Sequence, residues 1–121
     1  MTLGNPLVRR FATLPKGSGR LSGLALDAQG GVWTTLRDGW SLVRFSEEGG
    51  IERMIGLPVP CPVDLAFGGQ GRDLLYITSG RHDLSMEALA NAPASGHLFR
   101  LQANVEGLCA FLNDWGMDLA R

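Results

Sequence analysis

Few residues of this chain are of a type that does chemistry, and they are scattered. His82 and Asp83 are neighbours, and a His–Asp pair can move protons near neutral pH. Adjacent loop residues rarely face each other, so the simpler expectation is two solvent-facing polar groups. No Gly-x-Ser-x-Gly setting accompanies them to supply a nucleophile. His97 opens an apolar run and is expected to face solvent. Gly68-Gly69-Gln70-Gly71 is glycine-rich but joins two apolar runs. A phosphate cradle needs a helix N-terminus behind it, so this segment is expected to be a hairpin. Asp27 leads Asp27-Ala28-Gln29-Gly30-Gly31, where a carboxylate can accept from turn N–H groups. Cys61 and Cys109 form no CxxC, which argues against structural zinc and leaves a disulfide open. They read as small buried or half-buried thiols.

Composition narrows the classes. The 121 residues are one domain's worth of chain, with 11 Lys+Arg against 12 Asp+Glu. A net charge of -1 offers no basic excess for nucleic acid. No apolar run approaches the roughly 18 residues of a membrane span. Met1–Arg10 shows no apolar core before a cleavage-like site, so a cytoplasmic chain without a signal peptide is expected. Glycine is abundant, at 17 residues, which points to many tight turns between short strands.

The elements that must position these residues are almost all strands. Short apolar or alternating runs are expected at Leu7–Ala12, Gly23–Asp27, Val32–Leu36, Trp40–Ser46, Ile51–Gly56, Val63–Phe67, Leu74–Ser79 and His97–Gln102. Along Trp40–Ser46, Leu42 and Arg44 share one face, Val43 and Phe45 the other. The tail Cys109–Arg121 fits either a helical turn or coil, with Trp115 packing over an open edge. Met86–Asn91 is the one good helix candidate, with Ser85 as N-cap and Pro93 beyond its end.

The runs repeat. Val8–Pro15 recurs 43 residues later as Ile51–Pro58. Leu24-Ala25-Leu26 recurs after 41 residues as Leu65-Ala66-Phe67, and Val32-Trp33 after 43 as Leu75-Tyr76. Leu42-Val43-Arg44-Phe45 recurs after 56 as Leu98-Phe99-Arg100-Leu101, the excess being an insertion that holds the short helix. Four strands in roughly 40–45 residues is the arithmetic of a β-propeller blade. The fold class is therefore all-β, with about two four-stranded blades and one helical insertion near residues 85–92. The expected layout is an outer strand of a preceding blade at 7–15, one blade at 21–58, a last blade at 62–102 without a convincing fourth strand, and a tail at 109–121. Trp33, Trp40, Phe67, Tyr76 and Phe99 are expected to pack the blades.

Several of these segments resemble one family. Ser22-Gly23-Leu24-Ala25-Leu26-Asp27-Ala28-Gln29-Gly30-Gly31-Val32-Trp33 is similar to the Pro-Asp-Gly motif strand of the gluconolactonase/regucalcin (senescence marker protein) family. Leu57-Pro58-Val59-Pro60 with Leu65-Ala66-Phe67-Gly68-Gly69, and Leu75-Tyr76-Ile77-Thr78-Ser79-Gly80-Arg81, resemble its next segments. Leu84–Pro93 and Gly96–Leu101 resemble its late helical insertion and final strand. The resemblance implies a six-bladed propeller with one divalent metal, often calcium or zinc, and hydrolysis of sugar lactones or related esters. It implies oxygen ligands from an early Glu, a midway Asn and the Asp of the Pro-Asp-Gly motif, the last also a general-base candidate.

The match covers only the C-terminal third of such a protein, so the Glu and Asn positions have no counterpart here. The Pro-Asp-Gly triplet reads Leu21-Ser22-Gly23, placing Ser22 at the metal-ligand Asp position. A hydroxyl is a far weaker ligand for a hard cation than a carboxylate and is no general base near neutral pH. Ser22 is expected not to bind metal, and no catalytic or cofactor-binding residue is assigned. Asp64 aligns with Gly23 and either caps a turn or brings a carboxylate near the axis. The expectation is a truncated family member inactive alone, a lactone being its substrate only if a propeller is completed. The alternative is a non-catalytic assembly module that completes a propeller by strand exchange, with a missing N-terminal half or with its own copies as a homotrimer.

Overall fold

The computed structural model describes residues 7–82 and 84–108. The chain forms β1 (Arg20–Leu26), β2 (Val32–Arg37), β3 (Ser41–Phe45), β4 (Ile51–Gly56), β5 (Pro62–Gly68), β6 (Leu74–Ser79), α1 (Met86–Asn91) and β7 (Leu98–Gln102). Short alternating runs separated by glycine turns pair with their sequence neighbours, as loop lengths of a few residues dictate. The result is two antiparallel meanders, β1-β2-β3-β4 and β5-β6-β7.

The alternation decides which faces meet. Register pairs Trp33 with Arg44 and Thr35 with Leu42 across β2–β3, so these share a face. Leu65 pairs with Ile77 and Phe67 with Leu75 across β5–β6. Those two faces stack into the main core of Trp33, Leu42, Leu65, Leu75, Ile77 and Ala103. The Trp33 and Phe67 rings meet edge to face at 5.8 Å. Arg53 lies over the Trp33 ring, 5.1 Å from its centroid, and donates to the Ala103 carbonyl at 2.7 Å. The opposite face of the first sheet buries Leu36, Val43 and Phe45, covered by Ala12 and Leu14.

Several strand bounds differ from expectation, β1 beginning at Arg20 rather than Gly23 among them, and three differences bear on packing or turns. Trp40 lies outside β3, 43% exposed, because Asp38 (φ 63°) and Trp40 (φ 57°) both take left-handed turn conformations. It is a turn residue, not a blade-packing one. Asp27 lies just beyond β1, since its carboxylate is committed to the turn that follows. Residues 8–15 carry no strand. They nonetheless place Ala12 and Leu14 on the outer face of the first sheet, as Ile55 and Leu57, one repeat on, pack against the main core.

The hairpin at Gly68–Gly71 is present, closed by a bond from the Arg72 N–H to the Gly69 carbonyl at 3.1 Å. Helix α1 buries no residue, and Ser85 Oγ accepts from the Ala88 N–H at 3.0 Å. Cys61 is a buried free thiol and His97 is exposed. Among the described residues no helix is long and apolar enough to cross a membrane. Cys109, Trp115 and the rest of the expected tail, and Asp83 of the His–Asp pair, lie outside the described residues.

Candidate functional site

The first strands of the two sheets, β1 and β5, pack against each other and carry the residues singled out by the sequence. Each is interrupted at the same point of the repeat. The β1–β2 register shifts between Ser22 and Ala25, and the β5–β6 register between Pro62 and Asp64. A bulge re-aims side chains that regular pleating would alternate.

Gly23 makes the first bulge possible. Its φ of +75° suits glycine, and a Cβ there would stand 2.5 Å from Asp64 Oδ1 and 3.0 Å from Asp64 Cα. Ser22 and Asp64 are thus brought to one place, separated by the glycine's open flank. Two β2 hydroxyls pin the bulge: Thr35 Oγ1 donates to the Ser22 carbonyl, and Thr34 Oγ1 to the Gly23 carbonyl at 2.8 Å.

The chemistry of these groups is limited. Ser22 Oγ donates to the Val63 carbonyl at 2.7 Å, a bond that ties the two sheets together. Asp64 Oδ1 accepts from the Leu65 N–H at 2.8 Å; the residue is exposed and lies inside β5 at its register shift, so it caps no turn ahead of the strand. Among the described residues no three His, Cys, Asp or Glu side chains converge. A hydroxyl engaged with a carbonyl beside one carboxylate does not fit the oxygen cage that a hard divalent cation requires. These residues therefore do not by themselves hold the metal that the resemblance implies.

A second cluster is richer in charge. Asp27 is 1% exposed, and its Oδ1 accepts from the Gln29 N–H at 2.9 Å and the Gly31 N–H at 2.8 Å. Oδ2 accepts from Trp33 Nε1 and Arg44 Nε, both at 2.8 Å. Arg44 also pairs with Glu52. Burial by itself would raise the Asp27 carboxyl, but Arg44, Trp33 and the Gly31 and Gln29 N–H groups together hold it at about 2. Asp27 in turn pushes the Arg44 guanidinium up, against the effect of its burial. Both Asp27 oxygens and all three Arg44 nitrogens are engaged within the fold, so the cluster fastens the turn, β2 and β3 rather than offering a reactive group.

The turn role of Asp27 was legible; its ion pair with Arg44 was not. The available signal was a lone arginine between Val43 and Phe45 in an apolar strand, which asks for a buried counter-charge. The Thr34–Thr35 clamp carries no comparable sequence signal.

Two stacked four-stranded and three-stranded meanders in sequential order, with bulged first strands side by side, define neighbouring blades of a β-propeller. Residues 3–81 match the family model described as the SMP-30/Gluconolactonase/LRE-like region. The chain belongs to this family. It is 43% identical over 105 residues to a 6-deoxy-6-sulfogluconolactonase of Pseudomonas putida, covering 86% of this chain and 35% of that protein. It is 36% identical over 101 residues to an L-arabinolactonase of Azospirillum brasilense, covering 84% and 33%. The crystal structure of a calcium-binding regucalcin from Agrobacterium tumefaciens superposes with a TM-score of 0.74 at 24% identity, over 82% of this chain and 33% of that one. The chain thus spans about a third of the length of these relatives.

Proposed function

We propose that this chain is a two-blade portion of a sugar-lactonase propeller and is not catalytic on its own. The carrying observation is Ser22, which stands where the family places a metal-binding aspartate and spends its proton on the Val63 carbonyl. A calcium or zinc site, and a sugar lactone as substrate, belong to a completed propeller rather than to these blades. The completing part is either a missing N-terminal portion or further copies of the chain. The outer edge of β7, which pairs with no strand among the described residues, favours the second reading, a non-catalytic assembly module. A cytoplasmic setting suits the free thiol of Cys61. Calorimetric titration with Ca2+ and with Zn2+ tests the metal half of this reading. No saturable heat is expected; stoichiometric binding that Ser22→Ala abolishes would overturn it.

A further inference from the structure

The contact between the two sheets holds the template for a contact between chains. In the main core, Ala25, Trp33 and Leu42 of the first sheet pack on Leu65, Leu75 and Phe67 of the second. The repeat carries Ala25, Trp33 and Leu42 onto Ala66, Tyr76 and Leu98, which lie on the outward face of the second sheet. It carries Leu65, Leu75 and Phe67 back onto Leu24, Val32 and Leu26 of the first sheet. The two outer faces of the chain therefore repeat the two halves of its own core. Both display unburied apolar surface: Leu24 and Leu98 are each 65% exposed and Leu26 is 45% exposed. A groove of about 360 Å³ on the Leu24–Val32–Phe45 face is lined by Phe11, Leu21, Leu24, Val32, Thr34 and Phe45 among others.

The backbone edges match as well. The outer edge of β7 carries no strand among the described residues. In the first sheet, Leu42 of β3 pairs with Ile55 of β4. The repeat carries Leu42 to Leu98 and Ile55 to Ala12, so β7 and residues 8–12 of a second copy have a defined antiparallel register. We propose that the chain self-associates head to tail, the outward face of the second sheet (Ala66, Tyr76, Leu98) docking on the Leu24–Val32–Phe45 face of the next copy, with residues 8–12 of that copy supplying the strand beyond β7. The contact is heterologous, and rings arise when such a contact closes. Three copies of two blades make six, the blade number that the family resemblance implies, so the proposed ring is a trimer. This inference rests on the two-blade reading above.

The predicted register gives a specific test. Leu98 and Ala12 of successive copies stand opposite each other, at the Cα separation of about 4.5–5.5 Å that a disulfide spans. Within one chain they lie on opposite outer faces of the stack. In a Cys109→Ser background with buried Cys61 retained, the Ala12→Cys/Leu98→Cys double variant should oxidise to a covalent trimer. A mixture of the two single variants should yield only a 12–98 linked dimer. Light scattering of the unmodified chain should give three times the monomer mass, and Tyr76→Arg should reduce it to the monomer mass with unchanged far-ultraviolet dichroism. A β-folded monomer at every concentration, a Leu98–Leu98 linked dimer as the main product, or a chain that stays unfolded alone overturns the ring. The folded monomer would leave the two-blade reading standing, whereas metal-dependent lactone turnover by the chain would overturn that reading whatever its mass.

Discussion

Replacing Asp27 by asparagine removes the buried one of the two carboxylates that pair with Arg44 while keeping the side chain's shape. The carboxyl is held at about 2 rather than its ordinary 3.8. That difference corresponds to about 2–3 kcal/mol of folding stability at neutral pH. The sign follows from the depressed value. The contribution is fully present above pH ~4 and is lost as pH falls through the folded-state value near 2. Asp27→Asn leaves Arg44 with Glu52 alone and turns one acceptor oxygen into an amide that opposes the Trp33 and Arg44 donors. Breaking a buried pair from one side costs about 3–5 kcal/mol, and the remaining pairing to half-exposed Glu52 places the expected loss at about 2–4 kcal/mol. For a domain of this size that lowers Tm by roughly 10–20 °C. Urea unfolding followed by tryptophan fluorescence at fixed protein concentration measures the loss, at pH 7 and in steps down to pH 2. The wild type should lose stability more steeply on acidification than Asp27→Asn, and the two curves should converge near pH 2. Adding Arg44→Met to Asp27→Asn removes the orphaned charge and should recover part of the loss. A variant within about 0.5 kcal/mol of wild type at pH 7, with a parallel acid limb, would refute the assignment of Asp27 as a fastening ion pair.

Two further substitutions probe the sheet contact and the insertion. Gly23→Ala should cost about 1–3 kcal/mol, because it combines a left-handed φ with a Cβ driven against Asp64; the chevron or urea midpoint reads it, and a neutral effect would mean that the β1 bulge is absent. Ser85→Ala should leave the global midpoint almost unchanged but speed amide exchange at Ala88, whose N–H loses its acceptor. A fall in global stability of more than about 1 kcal/mol would show that α1 is part of the core rather than a surface insertion.

Much of the fold is legible because the repeat is written in alternation. Ile51–Gly56, Leu74–Ser79 and Met86–Asn91 carry the expected bounds, and Val32–Arg37 extends the expected strand by one residue. The misses share a cause: they depend on groups far apart in sequence or on backbone conformation. Trp40 looks like a strand aromatic by type, yet its positive φ assigns it to a turn. Residues 8–15 have strand-like alternation, but alternation sets only which side chains point inward; a strand also needs a ladder. Arg44 and Asp27 are seventeen residues apart and meet only because β2 and β3 fold the chain back on itself. At the candidate site, a serine at position 22, where the resemblance implies an aspartate, was visible in the sequence. The hydrogen bond from Ser22 to Val63, which explains why the hydroxyl is tolerated between two sheets, required the fold.

On the reading proposed above, these two blades carry the family's architecture without its chemistry. The most direct test is hydrolysis of a gluconolactone and an arabinonolactone by the purified chain, with and without saturating Ca2+ or Zn2+, against buffer and metal blanks. On that reading, rates are indistinguishable from the blanks in every arm, with the chain folded by far-ultraviolet dichroism. Metal-dependent turnover that co-purifies with the chain and is lost on chelation would contradict it.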